Sequence, residues 1–495
     1  MTPQWRTTRN PAISRFHALS GALVVLRVPA LISLMYGMLR TNADPDLWGH
    51  VRFGLDMLSA RALTSSDPYS YTSDIPWLNH EWLSELIMGF AYRTFGSGGL
   101  VALKLALAAA TLTLLAPILR RASEVWRWPT ACLAAVIVAP LTLTIRPQLW
   151  TLFFVVALCR ILNASPMYRW WLPLIFALWV NLHGGWIVGA GILVLWSALE
   201  LVGVATTRPS PWISLGVPLL CAAATLANPY GVNAWVFIAT TVRLSRPGIV
   251  EWQPLWQQPI GACLWLLTMT WVALAVRQAR VLRPEAIATV ASLAFASLCV
   301  LRLVPLFVPV SIILLLPYVQ SPAGGGERAW PKQRTVVDFA FICVAGVLLV
   351  WPRSIGCIQM QGGEPDIVAA RALAVAHPEG RLATSFNWGQ YAIWHFGPRA
   401  RVSIDGRRET VYSDQQLTRQ LAMAVGETAG LDELARTLPE YVWLPTARAE
   451  RTRQWLTSHA YRIDVQTAES FVAVRRDLPK LQAIPGPSPA CFPGL

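Results

Sequence analysis

The chain has 495 residues, 54% hydrophobic and only 14% charged, with a mean hydropathy of +0.44 and a formal net charge of +14. That balance excludes an ordinary soluble globule. The arginines fall between apolar runs, so the positive charge reads as membrane topology and not as nucleic-acid binding.

In chain order, apolar runs bounded by Arg, Pro and Gly lie near residues 18–39, 98–119, 129–144, 147–162, 170–182, 186–203, 212–227, 260–276, 284–300, 303–319 and 336–351. These give about 11 transmembrane helices. The first is read as an uncleaved helix, because Tyr36-Gly37-Met38-Leu39-Arg40 lacks a small-residue cleavage pattern. If Arg6, Arg9 and Arg15 lie inside, then Arg120, Arg121, Arg127, Arg160, Arg169, Arg208, Arg277, Arg280, Arg283, Arg328, Lys332 and Arg334 face the same side. With an odd number of spans, the loop at 40–97 and all residues after 352 face outward. The expected location is therefore a bacterial inner (plasma) membrane, with a cytoplasmic N-terminus and a periplasmic or extracellular C-terminal domain.

The fold class expected is an α-helical polytopic membrane protein with a small C-terminal α/β extracytoplasmic domain. Residues 1–352 form the membrane part, 353–480 the α/β domain, and 481–495, with Pro485, Pro487, Pro489 and Pro493, a disordered tail. Within 364–476, segments of helical and extended pattern alternate, with no Gly-rich phosphate fingerprint. The 24 Trp residues suit membrane interfaces. Cys132, Cys159, Cys221, Cys263, Cys299 and Cys343 sit in apolar runs without metal-ligand spacing, whereas Cys357 and Cys491 lie in the external region, where a disulfide would persist.

The polar loop at 40–97 gathers the titratable groups. Asp44 is a helix N-cap residue and Pro45 suits the first helical position. Leu47, Trp48, Val51, Leu55 and Leu58 then form an apolar stripe, predicting an amphipathic helix over 45–59 lying on the membrane. Asp46 and His50 share one face of it, four residues apart. The structural alternative is that Asp44 only caps and Asp46 only favours the helix dipole. His80 and Glu81 begin the next helix-period run, while Glu85 reads as a solvated or capping charge. Asp67-Pro68 and Ser73-Asp74 read as turns. Arg146 and Arg302, near hydrocarbon, are candidates to hold a lipid phosphate, with snorkelling as the alternative; His183 reads as a helix-end residue or a ligand. Glu251 is placed to pair with an arginine. In the C-terminal region, Asp405-Gly406-Arg407-Arg408 reads as a turn or a distinctive site segment, and Asn387-Trp388-Gly389-Gln390-Tyr391 as sugar-stacking aromatics or core.

Taken together, Asp44 to His50, Asp67 to Thr72, Pro76 to Leu83, Arg146 to Leu149, Asn181 to Gly185, Asn228 to Gly231, Glu251-Trp252, Arg302 to Phe307 and Asp405-Gly406-Arg407 resemble a bacterial polytopic group related to the GT-C superfamily of membrane glycosyltransferases. The resemblance implies an outward-facing enzyme that transfers a sugar from a polyprenyl-phosphate donor to an envelope glycan, lipid or protein acceptor, with inversion. It implies Asp46 as general base, with Asp44 and Glu81 beside it as catalytic carboxylates. His50 and His80 would complete the acceptor pocket; Arg146, His183 and Arg302 would oppose the phosphate. A divalent cation, Mn²⁺ or Mg²⁺, would be held by Asp46, His50, His80 and Glu81 if one is used. The chain lacks the tight Asp-Glu or Asp-Asp pair of some members. Two other classes remain: a lipid or glycan transporter, which would place charges near mid-membrane, and a non-catalytic scaffold for envelope glycan assembly, which would dock through the α/β domain.

Overall fold

The computed structural model describes residues 26–241, 246, 249–320, 356–360 and 365–495. The chain divides into two compact units: one takes in the described residues within 1–40, 104–143 and 148–353, the other those within 41–103, 144–147 and 354–495. The apolar run expected at 336–351 lies outside the described residues, as do Arg6, Arg9, Arg15, Arg328, Lys332 and Arg334.

The first unit is helical. Residues 18–25 of the first expected run also lie outside the described residues; the described parts of the expected runs fall largely on helices, among them Arg27–Leu39, Glu124–Thr142, Gln148–Leu162, Trp186–Leu201 and Pro259–Arg277. Pro211, Pro259 and Pro284 open their helices at the first position, where the missing N–H has no intrahelical partner to lose. Among the described residues, four segments are long and apolar enough to cross a membrane: Trp82–Arg121, Glu124–Thr142, Pro259–Arg277 and Leu301–Tyr318. The protein is an integral membrane protein. The count of eleven spans does not follow from helix length, since Leu172–Leu182, for example, has 11 residues where a straight crossing takes about 20.

Helix Val304–Leu315 is apolar on all sides, and every residue in it except Pro305 is buried. Two charges that hydropathy averaging conceals sit in this unit. Lys104 is buried and donates to the carbonyls of Gly37 (3.2 Å) and Arg40 (2.8 Å), which satisfies its ammonium. Glu200 pairs with Arg169 through two bonds of 2.7 and 2.8 Å and also accepts from Trp196, Thr207 and Ser214. Arg169 is thus not a headgroup-facing charge: buried with its carboxylate, it answers the general requirement that a charge out of water be paired.

The second unit is built on a five-stranded sheet in the order β2-β1-β3-β5-β4, with β1 Gly380–Thr384, β2 Ala400–Val402, β3 Tyr441–Pro445, β4 Tyr461–Gln466 and β5 Ser470–Arg475. β2, β1 and β3 run parallel, whereas β5 pairs antiparallel with both β3 and β4. Helices Ile367–Ala376, Gly389–Phe396, Asp414–Val425, Thr428–Thr437 and Glu450–Ser458 accompany it. Val442, Leu444, Phe471 and Ala473 share a core with Leu434 and Leu456. The early loop extends the sheet at β2: the Val402 N–H donates to the Tyr69 carbonyl at 2.8 Å, and the Tyr71 N–H to the Val402 carbonyl at 3.1 Å.

The proline-rich tail is not disordered. Phe492 is buried and packs at a tilt against Trp48, ring centroids 5.3 Å apart, and the Trp48 indole N–H donates to the Pro493 carbonyl at 2.9 Å. Cys491 forms a disulfide with Cys357 across 134 residues of chain. These anchors supply the apolar burial and covalent constraint that a proline count does not register. Replacing Cys357 and Cys491 by Ala is expected to destabilise this unit by about 2–5 kcal/mol, read as a lower thermal midpoint of the detergent-solubilised chain.

Candidate active site

The acidic end of the early loop is shaped by its own backbone. Asp44 Oδ1 accepts from the Asp46 N–H (2.9 Å) and the Asp44 carbonyl accepts from the Leu47 N–H (2.9 Å), an Asx-type turn that sets up the helix. The helix therefore runs Leu47–Ala60, with Asp46 rather than Asp44 at the N-cap position. Its apolar stripe does not lie on lipid. Leu47, Trp48, Val51, Phe53 and Met57 are buried within the unit, and Trp48 meets Tyr391 edge-on at 5.3 Å.

Two glycines decide how near the next helix comes. A Cβ at Gly54 would collide with the Glu85 carbonyl, and one at Gly89 with the backbone of Gly54. Because side chains four apart share a helix face, the same close approach brings His50, one turn before Gly54, against Glu85, one turn before Gly89. His50 Nδ1 and Glu85 Oε1 are 3.0 Å apart, and Asn79 Nδ2 donates to Glu85 Oε2 at 2.5 Å. Glu85 is thus buried and doubly engaged, correcting its reading as a solvated charge; local periodicity carries no sign of a partner 35 residues earlier. Asn79, which the sequence reading passed over, completes the pair, and its Oδ1 accepts from the Glu81 N–H at 3.2 Å.

Arg146 holds both aspartates. Its Nε lies 2.8 Å from Asp44 Oδ2 and its terminal nitrogen 2.6 Å from Asp46 Oδ2. Expected to hold a lipid phosphate, Arg146 instead has its fork occupied by carboxylates, the planar geometry that a guanidinium matches best. The other Asp46 oxygen, Oδ1, faces Gly406: a Cβ there would strike it, and would also crowd the Gln390 side chain. Gln390 is buried and its Oε1 accepts from the Gly49 N–H at 3.1 Å, tying helix Gly389–Phe396 to the helix that carries His50. The Asp46 side chain keeps 28% of its exposure, against 11% for Asp44, so Asp46 is the more accessible carboxylate of the pair.

Burial lifts the Asp46 carboxyl above the usual carboxylate range; Arg146 works against this, Asp44 adds to it, His50 lowers it and Glu81 raises it. For His50 the balance tips the other way. Burial disfavours the imidazolium, but the hydrogen bond to Glu85 and the negative charges of Glu81, Glu85 and Asp46 together raise it to about 9. At neutral pH the site therefore contains a protonated histidine beside a carboxylate whose proton affinity is enhanced.

Beneath this cluster lies a second, fully buried one. Arg407 donates to both oxygens of Asp67 (2.7 and 2.9 Å) and both of Asp405 (2.8 and 2.7 Å), and Tyr412 donates to Asp405 Oδ2 at 2.8 Å. Its guanidinium carbon lies 4.8 to 5.3 Å from the ring centroids of Trp77, Phe53 and Tyr69, a cation–π enclosure. Asp67 is more than a turn residue, and Asp405-Gly406-Arg407 more than a turn. Trp388 packs against Trp443 at 5.1 Å, and Tyr391 is 1% exposed, so both belong to the core and are not sugar-stacking surfaces.

His80 Nε2 sits 3.7 Å from Glu81 Oε1, with both side chains partly exposed. His183 and Arg302 belong to the helical unit. His183 ends helix Leu172–Leu182, with Nδ1 2.6 Å from Thr151 Oγ1 and accepting from the Gly185 N–H at 3.0 Å. Arg302 pairs with Glu251 at 2.9 Å and lies over Trp252 at 5.6 Å. Among the described residues no group of three or more His, Cys, Asp or Glu is placed to hold a metal ion. Asp46, His50, His80 and Glu81 do not make a ready ligand shell, since Asp46 is bound to Arg146 and His50 to Glu85.

No family model matches the chain, and no curated protein matches it. Solved structures do. An archaeal oligosaccharyltransferase, AglB from Archaeoglobus fulgidus in complex with an inhibitory peptide and a dolichol-phosphate, is 11% identical with a TM-score of 0.51, over 92% of this chain and 75% of that one. The fold is GT-C-like. ArnT from Cupriavidus metallidurans bound to undecaprenyl phosphate is 12% identical, with a TM-score of 0.49 over 92% of this chain and 98% of that one. The arabinofuranosyltransferase AftD from Mycobacteria is 14% identical with a TM-score of 0.47; the match covers 92% of this chain but only 40% of that much longer protein.

The His50–Glu85 pair makes the stability of the fold depend on pH. With its folded value raised from 6.5 to about 9, His50 contributes stability that is fully present below pH 6.5 and lost as pH rises through about 9. Thermal unfolding from pH 6 to pH 10 is expected to show a fall in midpoint between those values in the wild type, and a flatter profile in His50→Gln.

Proposed function

We propose that this protein is a membrane glycosyltransferase that takes a sugar from a polyprenyl-phosphate donor and passes it to an acceptor on the outer side of the membrane, with Asp46 as general base. The observation that carries the reading is Asp46 itself. One carboxylate oxygen is anchored by Arg146 and the other packs closely against Gly406, where only the absence of a side chain admits it, in a partly exposed position whose surroundings raise its affinity for a proton. A base for this reaction needs a fixed lone pair within reach of an attacking hydroxyl and a proton affinity nearer to neutrality than that of a free aspartate.

In the step proposed, the acceptor hydroxyl attacks the anomeric carbon while its proton passes to Asp46 Oδ1. The bond from that carbon to the phosphate oxygen breaks, and the polyprenyl phosphate leaves with the electron pair. Attack opposite to the departing group inverts the anomeric centre. Arg146 keeps Asp46 from rotating, and Asp44, sharing the same guanidinium, limits how far Arg146 depresses the base. The protonated His50, held by Glu85, supplies a positive charge on the same helix, one turn from Asp46. No part of the step is routed through a cation. The GT-C-like fold supports the class; sugar, carrier and acceptor are not specified by it. The external placement of the site and C-terminal sheet, in the plasma membrane of a bacterium, belongs to the same proposal and rests on the arginine pattern.

The test is incubation of purified protein with polyprenyl-phosphate sugars and envelope glycan acceptors, read by mass spectrometry. Asp46→Asn should leave membrane insertion and thermal unfolding near wild type while lowering transfer at least 100-fold, within the range of about 10²–10⁴ for general-base loss. If Asp46→Asn turns over at the wild-type rate, Asp46 is not the base; if neither protein transfers any sugar while both are folded, a scaffold role gains the ground. Gly406→Ala offers an independent check: the added methyl should depress transfer by crowding Asp46 Oδ1, in a chain that retains Asp46 and Arg146.

A further inference from the structure

A second concentration of positive charge lies in the helical unit and shares no residue with the sites above. A cavity of about 310 Å³ is lined by Arg121, Ser123, Trp126, Arg160, Asn163 and Tyr318, among others. It lies at the C-terminal ends of helices Trp82–Arg121 and Gln148–Leu162 and the N-terminal end of Glu124–Thr142. Its volume falls at the lower end of the roughly 300–1,000 Å³ typical of small-ligand pockets.

Four of its lining side chains carry donors that no acceptor among the described residues meets. Among the described residues, the side chains of Arg121 and Arg160 have no ion-pair or hydrogen-bond partner. Trp126 is 7% exposed, and its buried Nε1 has no hydrogen-bond partner; the same holds for the buried hydroxyl of Ser123. An unpaired buried N–H is unfavourable, so an indole left this way calls for an acceptor from outside. Ser123 is the N-cap of helix Glu124–Thr142 yet makes no side-chain capping bond, leaving the positive end of that helix open.

The negative groups nearby do not cancel this. The carbonyls that end helix Trp82–Arg121 are already occupied, because Arg127 donates to those of Leu119 (3.0 Å), Arg120 (2.8 Å) and Ala122 (2.7 Å). Glu124 is the acid in the first turn of its helix, and against it stand Arg120, Arg121, Arg127 and Arg160. Asn163 and Tyr318 are held by Arg283 through bonds of 2.5 and 2.8 Å, which fixes that wall.

We propose that this cavity binds a phosphate-bearing anion, and that its place at a basic end of apolar helices suits the headgroup of an anionic lipid. By the arginine pattern this end faces the cytoplasm, where anionic headgroups collect and basic pockets between helices receive them. The site is independent of the transferase reading: it would bind its lipid whether or not Asp46 is a base. Its consequence is a lipid requirement separate from the donor.

The experiment uses the full chain in detergent. Native mass spectrometry with added dioleoyl phosphatidylglycerol or dioleoyl phosphatidylcholine measures lipid retention, and equilibrium binding of radiolabelled inorganic phosphate forms a second arm. Wild type should retain phosphatidylglycerol over phosphatidylcholine. The double variant Arg121→Gln, Arg160→Gln should weaken that retention at least tenfold with an unchanged thermal midpoint. Trp126→Phe should weaken it several-fold, and Arg121→Lys with Arg160→Lys should keep most of it. Phosphate binding lost in the Gln variant without any lipid preference would support the anion site and assign it to a soluble phosphate. Equal retention of both lipids, and equal phosphate binding, by folded wild type and folded Gln variant would overturn the proposal.

Discussion

Arg407 is the constraint on which the second unit depends. It is one cation between two buried carboxylates, enclosed by three aromatic rings, and its partners come from chain segments 340 residues apart. A buried pair of this kind gains little relative to a well-packed apolar substitute, but removing one member leaves the others charged and dry, at about 3–5 kcal/mol. The clasp therefore specifies position more than it adds stability. By fixing Asp405 it fixes Gly406, and by fixing Asp67 it fixes the stretch that joins the sheet at Val402.

The upper cluster is organised in the opposite spirit. Asp405 is held below the usual carboxylate range: burial pushes it up, but Arg407 beside it more than reverses this. Asp46 also has an arginine partner, yet ends above that range because burial, Asp44 and Glu81 outweigh Arg146. The same residue type with the same counter-ion type thus has its proton affinity lowered in one place and raised in the other. What differs is that Asp405 accepts hydrogen bonds from the Arg407 side chain and backbone and from Tyr412, whereas Asp46 is opposed by the charges of Asp44 and Glu81. Proteins commonly tolerate such an unfavourable charge only where chemistry uses it.

Much of this was legible in the residues, and what was not has identifiable causes. The alternation of helical and extended segments within 364–476 is legible in the sequence, and the five strands and helices such as Ile367–Ala376 and Asp414–Val425 fall there, although β3 and β5 are buried along almost their whole length and carry no one-sided pattern. Asp44, Asp46, His50 and Arg146 were each singled out, but the pairing of Arg146 with the aspartates spans 100 residues and has no local signature. Glu85 was misjudged for the same reason. Lys104 and Glu200 vanished inside apolar averages, since one charge in 20 residues scarcely moves a mean. Helix Thr428–Thr437 carries Gly430 where a Cβ would strike the backbone of Met423, so a residue that weakens helix propensity is the one that permits the packing.

The bond between Cys357 and Cys491 also gives the chain a memory of where it has been. A disulfide persists in an oxidising compartment and is reduced in the cytosol, while the described free cysteines all lie in the helical unit. The thiol state of this one pair therefore registers, molecule by molecule, the redox compartment in which the sheet-bearing unit resides. The covalent closure of the fold and the redox history of the chain are recorded in the same two sulfur atoms.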